Sequence, residues 1–257
     1  MGNDAAAQAG VDALTRDFAE DPELAGMLCK LGNISWQQEK YDWSRQLYQR
    51  ARQLYQRTVE TYPDSNDVIV MKSRVEKIRA DIKLGDDANV PADVNELIAN
   101  FNNQPGLPVA VFQIGEEYYN RAYGKYKQGR QSESDDHFRQ AIAVWERVIS
   151  EVPEPNSTTM AHAYYFSALC YRRLGEYPEA IEYFKETVSR WPNYQFAWNA
   201  QFLIARGFEQ LVRDGQIPPS DAGVMIRYAC EQVITKYPDC AAVKAAGNML
   251  KRWKSVN

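Results

Sequence analysis

Arg172 and Arg206 stand 34 residues apart in this chain. A guanidinium is planar, always charged, and presents a fork of donors that can hold a carboxylate by two bonds at once. Two of them at such a spacing suit a segment that carries acidic side chains. Phe112, Tyr119 and Tyr165 precede the arginines and suit apolar anchors, and Asn199 lies between the two arginines in the chain. The opposing expectation is that both arginines pair with Glu or Asp of neighbouring helices.

No other set of reactive side chains assembles. There are two histidines, His137 within Asp135-Asp136-His137-Phe138 and His162 among aromatic residues. Neither has a Cys or carboxylate at metal-ligand spacing that repeats elsewhere, and no H-E-x-x-H occurs. Cys29, Cys170, Cys230 and Cys240 form no C-x-x-C pair. Cys170 and Cys230 fall on apolar helix faces, as small buried hydrophobes do. No glycine-rich phosphate loop is present, and Glu116-Glu117 and Glu179/Glu182 read as solvated helix surface. The chain is expected to be non-catalytic, with no cofactor and no metal.

Composition narrows the partners. The 257 residues are 45% hydrophobic and 25% charged, ordinary for a folded protein. A net charge of −4 gives no basic footprint for nucleic acid. Helical repeats that read RNA need basic inner helices, and few such residues stand there. No apolar run approaches the ~18 residues of a membrane span. The start, MGNDAAAQAG, has neither the basic region nor the apolar core of a signal peptide.

The residues must be positioned by helices. Residues 161–194 fall into two amphipathic segments around Leu174-Gly175-Glu176. Tyr164, Ala168 and Tyr171 recur at helical spacing in the first segment, and Ala180, Phe184 and Val188 in the second. Ala180 is small enough for a neighbouring helix to approach, and Phe184 fills the space one turn later. Gly175 permits a sharp turn, Pro178 fits a first helical turn, and Pro192 stops the second helix. Further prolines, Pro22, Pro63, Pro105, Pro153 and Pro238, recur at intervals of 39–48 residues with Pro192 in the series. An internal match at offset 83 sets Leu31-Gly32 against Ile114-Gly115. Twelve helices are expected, near 4–19, 23–40, 43–62, 66–84, 92–103, 107–128, 131–151, 158–174, 177–190, 194–213, 220–236 and 240–254, with Ser220 capping the eleventh. One helix pair cannot bury both apolar faces, so pairs must stack into an all-α solenoid.

The 161–194 stretch resembles a tetratricopeptide repeat (TPR). Of the pattern W-x2-L-G-x2-Y…A-x3-F…P it keeps Tyr171, Ala180, Phe184 and Pro192, with Tyr164 at the Trp position and Ser167-Ala168 for Leu-Gly. The resemblance implies one right-handed superhelical array of stacked antiparallel pairs over 1–257. Its repeats end near 22, 63, 105, 153, 192 and 238, and 239–257 form a C-terminal capping helix. Residues 10–22 match the second helix of a repeat, so the array is expected to begin inside a longer solenoid, and oligomers could form through its uncapped N-terminal end.

In such an array the first helix of each pair lines a concave groove. The resemblance then places Phe112, Tyr119, Tyr165, Arg172, Asn199 and Arg206 in the groove, with Trp36 and Arg252 in the same register. The carboxylate clamp of some TPR domains does not carry over, because Tyr165 and Leu169 stand where it needs Lys and Asn. The implied role is a scaffold that binds a protein or peptide segment with acidic residues and apolar anchors. The alternative is a structural, self-assembling module of a larger complex. "TYPDS" at 61–65 and the run from Ala92 to Tyr119 are similar to periplasmic TPR proteins of outer-membrane assembly and Tol–Pal coordination. That likeness implies an envelope partner and a removed signal; without it, a cytoplasmic scaffold fits equally.

Overall fold

The computed structural model describes residues 2–18, 21, 23–38, 40–62, 67–151 and 158–254. The described residues are all-α, without a strand. They form α1 (Gly2–Asp17), α2 (Leu24–Gln37), α3 (Tyr41–Thr61), α4 (Val68–Leu84), α5 (Val90–Phe101), α6 (Leu107–Lys127), α7 (Gln131–Glu151), α8 (Thr158–Leu174), α9 (Tyr177–Arg190), α10 (Ala197–Arg213), α11 (Pro219–Lys236) and α12 (Val243–Trp253). The bounds lie within three residues of those read from the sequence. Pro22, Pro63 and Pro153 lie outside the described residues.

The punctuation is local chemistry. Gly175 adopts φ 80°, a left-handed conformation that costs a residue with a Cβ. It lets the Gly175 N–H bond Arg172 O and the Glu176 N–H bond Tyr171 O, the paired bonds of a Schellman cap. The same two-bond pattern ends α4, α6 and α10. The helices α3, α9 and α11 end differently, on Tyr62, Trp191 and Tyr237, with φ near −130° and ψ near 60°. Each precedes a proline, which disfavours the helical conformation in the residue before it. At α11 the expected Ser220 cap is corrected. Pro218 caps, and Pro219, its φ already helical, opens the helix. The Ser220 hydroxyl donates instead to Asp221 at 3.1 Å.

The contacts fall into two compact units, Met1–Glu117 and Tyr118–Asn257. Within the first, α2, α3, α4 and α5 pack in succession. Within the second, α7 to α12 do the same. Packing of each element on its chain neighbours is the pattern of a solenoid.

One spacing recurs on α3, α7, α9 and α11: a small residue, a large one four later, and a smaller one three after that. Ala180, Phe184 and Thr187 are buried in α9, and Ala222, Ile226 and Ala229 in α11. Ala141, Trp145 and Val148 are buried in α7, and Ser44, Tyr48 and Ala51 in α3. The second-unit core joins α8–α12 around Phe184, Ile204 and Ile226. In the first unit Val11 ties α1 to Leu24, Leu28, Leu47 and Tyr55. Leu14 on α1 and Phe18 just after it remain 42% and 50% exposed.

Candidate functional site

In the second unit a strip of tyrosines runs along α6. Tyr119, Tyr123 and Tyr126 follow at i, i+4 and i+7, so they share one face. The rings of Tyr119 and Tyr123 are 5° from parallel with centroids 6.4 Å apart, and Tyr123 and Tyr126 differ by 20° at 6.3 Å. Packing on α7 and α8 holds the strip in place, because Tyr119 meets Phe138, Trp145 and Phe166 within 6.0 Å. One arginine of α8 meets this strip. Arg173 lies 4.8 Å over Tyr126 and 5.8 Å over Tyr123, while Lys127 lies 4.7 Å over Tyr123. Such cation–π contacts hold the cation in place without cancelling its charge.

Arg172, beside Arg173, is half-buried, and Arg206 on α10 is exposed. Among the described residues neither has a hydrogen-bond or ion-pair partner, so the expected pairing with Glu or Asp does not occur. Burial first, and then the charges of Arg173 and Arg206, hold Arg172 below the usual guanidinium range. The Tyr165 hydroxyl is pushed up to about 12 by burial, with Tyr119 adding to the shift and Arg172 opposing it. Burial also raises Tyr119, against the pull of Arg173 and Arg172. Arg172 therefore has Tyr119, Arg173 and Arg206 within electrostatic reach, and these four form one neighbourhood that the Tyr165 hydroxyl borders.

Several other cations of this unit show the contrast. Lys125 and Arg130 pair with Glu133, Arg139 with Glu176, Lys185 with Glu182, and Arg190 with Glu186. Arg252, which shares the groove register by spacing, bonds Glu209 at 2.9 Å. Glu209 also accepts from the Trp253 indole at 3.3 Å, so Arg252 fastens α12 to α10.

Not every expected site residue joins the neighbourhood. Tyr165 retains 5% exposure among Phe184, Tyr194 and Phe196, which leaves its ring in the core. Asn199 is half-buried near the start of α10, about 10 Å along the axis from Arg206. Phe112 belongs to the first unit and is half-buried there, while Trp36 is 50% exposed and meets Tyr41 edge-on. Repeat spacing does not single out Arg173; the i, i+4, i+7 tyrosines mark a shared face of α6 but not the arginine that meets it.

The first unit holds a polar cleft of about 630 Å³, lined by residues that include Arg52, Arg57, Lys77, Asp81 and Asp86. Most of its charges are spent on one another. Arg52 bonds Asp81 at 3.1 Å and Asp86 at 2.7 Å, and Lys77 bonds Asp81 at 3.2 Å and Asp93 at 2.8 Å. A ligand there must break pairs already made, whereas at Arg172 and Arg206 none stand in its way. No group of three or more His, Cys, Asp or Glu among the described residues could hold a metal ion. No described helix is long and apolar enough to cross a membrane.

Two family profiles described as tetratricopeptide repeat match the chain, over residues 24–67 and 119–195. The first spans α2 and α3, and the second runs from the tyrosine strip of α6 through α9. No curated protein matches the chain. Among solved structures the chain is similar to a thermophilic TPR protein of Thermus thermophilus, at 15% identity and a TM-score of 0.37, covering 90% of this chain and 98% of that one. It is also similar to the TPR2AB-domain:pHSP90 complex of yeast Sti1, at 15% identity and a TM-score of 0.35, covering 90% and 99%. Likenesses this remote say nothing of what this chain binds.

Proposed function

The chain is a tetratricopeptide-repeat protein, a family of interaction scaffolds, and from that premise we propose that it binds a protein segment across the α6–α8–α10 side of its second unit. The observation that carries this reading is a pair of arginines, Arg172 and Arg206, without a carboxylate partner, beside a half-open row of tyrosines. A half-buried guanidinium that has lost water and gained no counter-charge is stabilised by any anion that reaches it. The tyrosines offer flat apolar faces with polar tips, the usual material of a contact surface. The segment is therefore acidic, with aromatic or aliphatic anchors, and the role is non-catalytic. Panning a random peptide library displayed on phage against the immobilised chain tests this. Selected peptides should be enriched in Asp or Glu near an apolar residue, and Arg172→Met with Arg206→Gln should abolish the enrichment. Sequences without acidic bias, or a selection indifferent to both substitutions, refute the site.

A self-assembling role has an observation of its own in the first unit. Leu14 on α1, Phe18 just after it, and Met27, Leu31, Ile34 and Trp36 on α2 are each at least 38% exposed. Light scattering after size exclusion tests it: a chain that stays monomeric as concentration rises is not a self-assembling module.

A further inference from the structure

Six arginines of the second unit, Arg130, Arg139, Arg147, Arg190, Arg213 and Arg252, each meet a carboxylate, and against them Arg172, Arg173 and Arg206 stand out. Arg172, Arg173 and Arg206 make no ion pair among the described residues. Arg173 is held in place by Tyr126 and Tyr123, at 4.8 Å and 5.8 Å. Arg172 is its chain neighbour in the last turn of α8, and Arg206 comes from α10. The end of α8 favours cations through the helix dipole, but that argument does not reach Arg206, which lies in the interior of α10. One carboxylate would leave two of the three charges unanswered. A phosphomonoester carries close to two negative charges at neutral pH and three strong acceptor oxygens, so several guanidinium forks can engage it together.

We propose that Arg172, Arg173 and Arg206 form a subsite for a phosphomonoester dianion, supplied by a phosphorylated side chain of the bound segment. This rests on the scaffold reading above and names the group that the segment brings to the arginines. Unmodified acidic residues then bind as weaker substitutes, and phosphorylation of the partner strengthens the complex.

Two measurements test it. The first titrates the intact chain with phenyl phosphate and with benzoate, following arginine side-chain N–H resonances. The second takes an acidic peptide selected by the chain and replaces one Asp at a time with phosphoserine. At some position the phosphopeptide should bind about tenfold tighter than its parent, the value of one added charge-assisted bond or two. The gain should shrink as pH falls from about 7.5 to about 5.5, where phosphate loses its second charge and a carboxylate keeps its own. Arg173→Gln and Arg206→Gln should each remove most of the gain; both side chains are exposed, and circular dichroism checks that the fold persists. Equal binding of phenyl phosphate and benzoate, with no position favouring phosphoserine, overturns the dianion subsite and leaves the acidic-segment scaffold standing. A gain that survives both substitutions places the phosphate elsewhere and also overturns it. Failure of the scaffold reading is read separately, from a peptide selection without acidic bias.

Discussion

Gly32→Ala should destabilise the first unit, even though alanine is the better helix former. Gly32 lies within α2, and a Cβ built on it comes 2.6 Å from Tyr48 Cε1, 2.9 Å from Cδ1 and 3.1 Å from Cζ. Carbon atoms in contact prefer about 3.5–4.0 Å, so the ring or the helix must shift by about 1 Å. The ring has little freedom to do so. Tyr48 is buried, and its hydroxyl donates to Asn33 Oδ1 at 2.7 Å. One turn earlier on α3, the buried Ser44 hydroxyl donates to Gly32 O at 2.8 Å and fixes the separation of the two helices. Overpacking of this kind costs about 1–3 kcal/mol, and losing the Tyr48–Asn33 bond adds about 1 kcal/mol. The helix-propensity gain of Ala over Gly returns about 1 kcal/mol. The net expectation is a loss of about 1–3 kcal/mol. Urea denaturation followed by tryptophan fluorescence and by circular dichroism measures it, with Trp36 and Trp43 reporting from the first unit. Tyr48→Leu in the Gly32→Ala background should cost less than the sum of the single changes, because the clash is shared. If Gly32→Ala is neutral or stabilising, the ring does not press on this helix and the small position has no packing role.

Three further outcomes follow from the same geometry. Phe184→Ala empties a fully buried site between α8, α9 and α10 and should cost ~3–5 kcal/mol in denaturant melts; a loss below ~1 kcal/mol would remove Phe184 from the core. Arg172→Met keeps the aliphatic stem and removes a charge that burial and its neighbours disfavour, so thermal stability should hold or rise slightly. In the same variant, binding of acidic peptides should weaken and lose part of its salt dependence. If stability falls and binding persists, the arginine is structural. Burial alone would push Glu209 up, but bonds from Arg252 and Trp253 and the charge of Arg213 outweigh it and hold its carboxyl below the ordinary 4.5. A depressed carboxylate contributes its stability above the ordinary value and loses it as pH falls through the folded value. The α12 clasp should therefore loosen below about pH 4.5 in an acid titration of stability. Glu209→Gln should flatten that part of the profile, and an unchanged profile would remove Glu209 from the clasp.

What could be read without coordinates, and what could not, divides along the range of the interactions. The Schellman cap at Gly175 and the stop at Trp191-Pro192 depend on a few consecutive residues, so the bounds of α8 and α9 are legible to the residue. The small-large-small spacing of Ala180, Phe184 and Thr187 is likewise a property of one helix. Only the structure, however, shows Ser44, Tyr48 and Ala51 taking the same parts in α3. Charge partners are different, because they are settled between helices. Arg172, Arg206 and Arg252 look alike by register, yet Arg252 is captured by Glu209 and the other two keep their charges unmatched. The difference lies in α12, which brings the indole of Trp253 to the same carboxylate and makes Glu209 a clasp. Arg173 was illegible for a related reason. Neighbours on a helix point about 100° apart, and only the docking of α6 shows that its tyrosines receive Arg173. Repeat periodicity thus predicts which side chains share a register. Which of them remain free for a partner is decided by where the carboxylates of the adjoining helices fall.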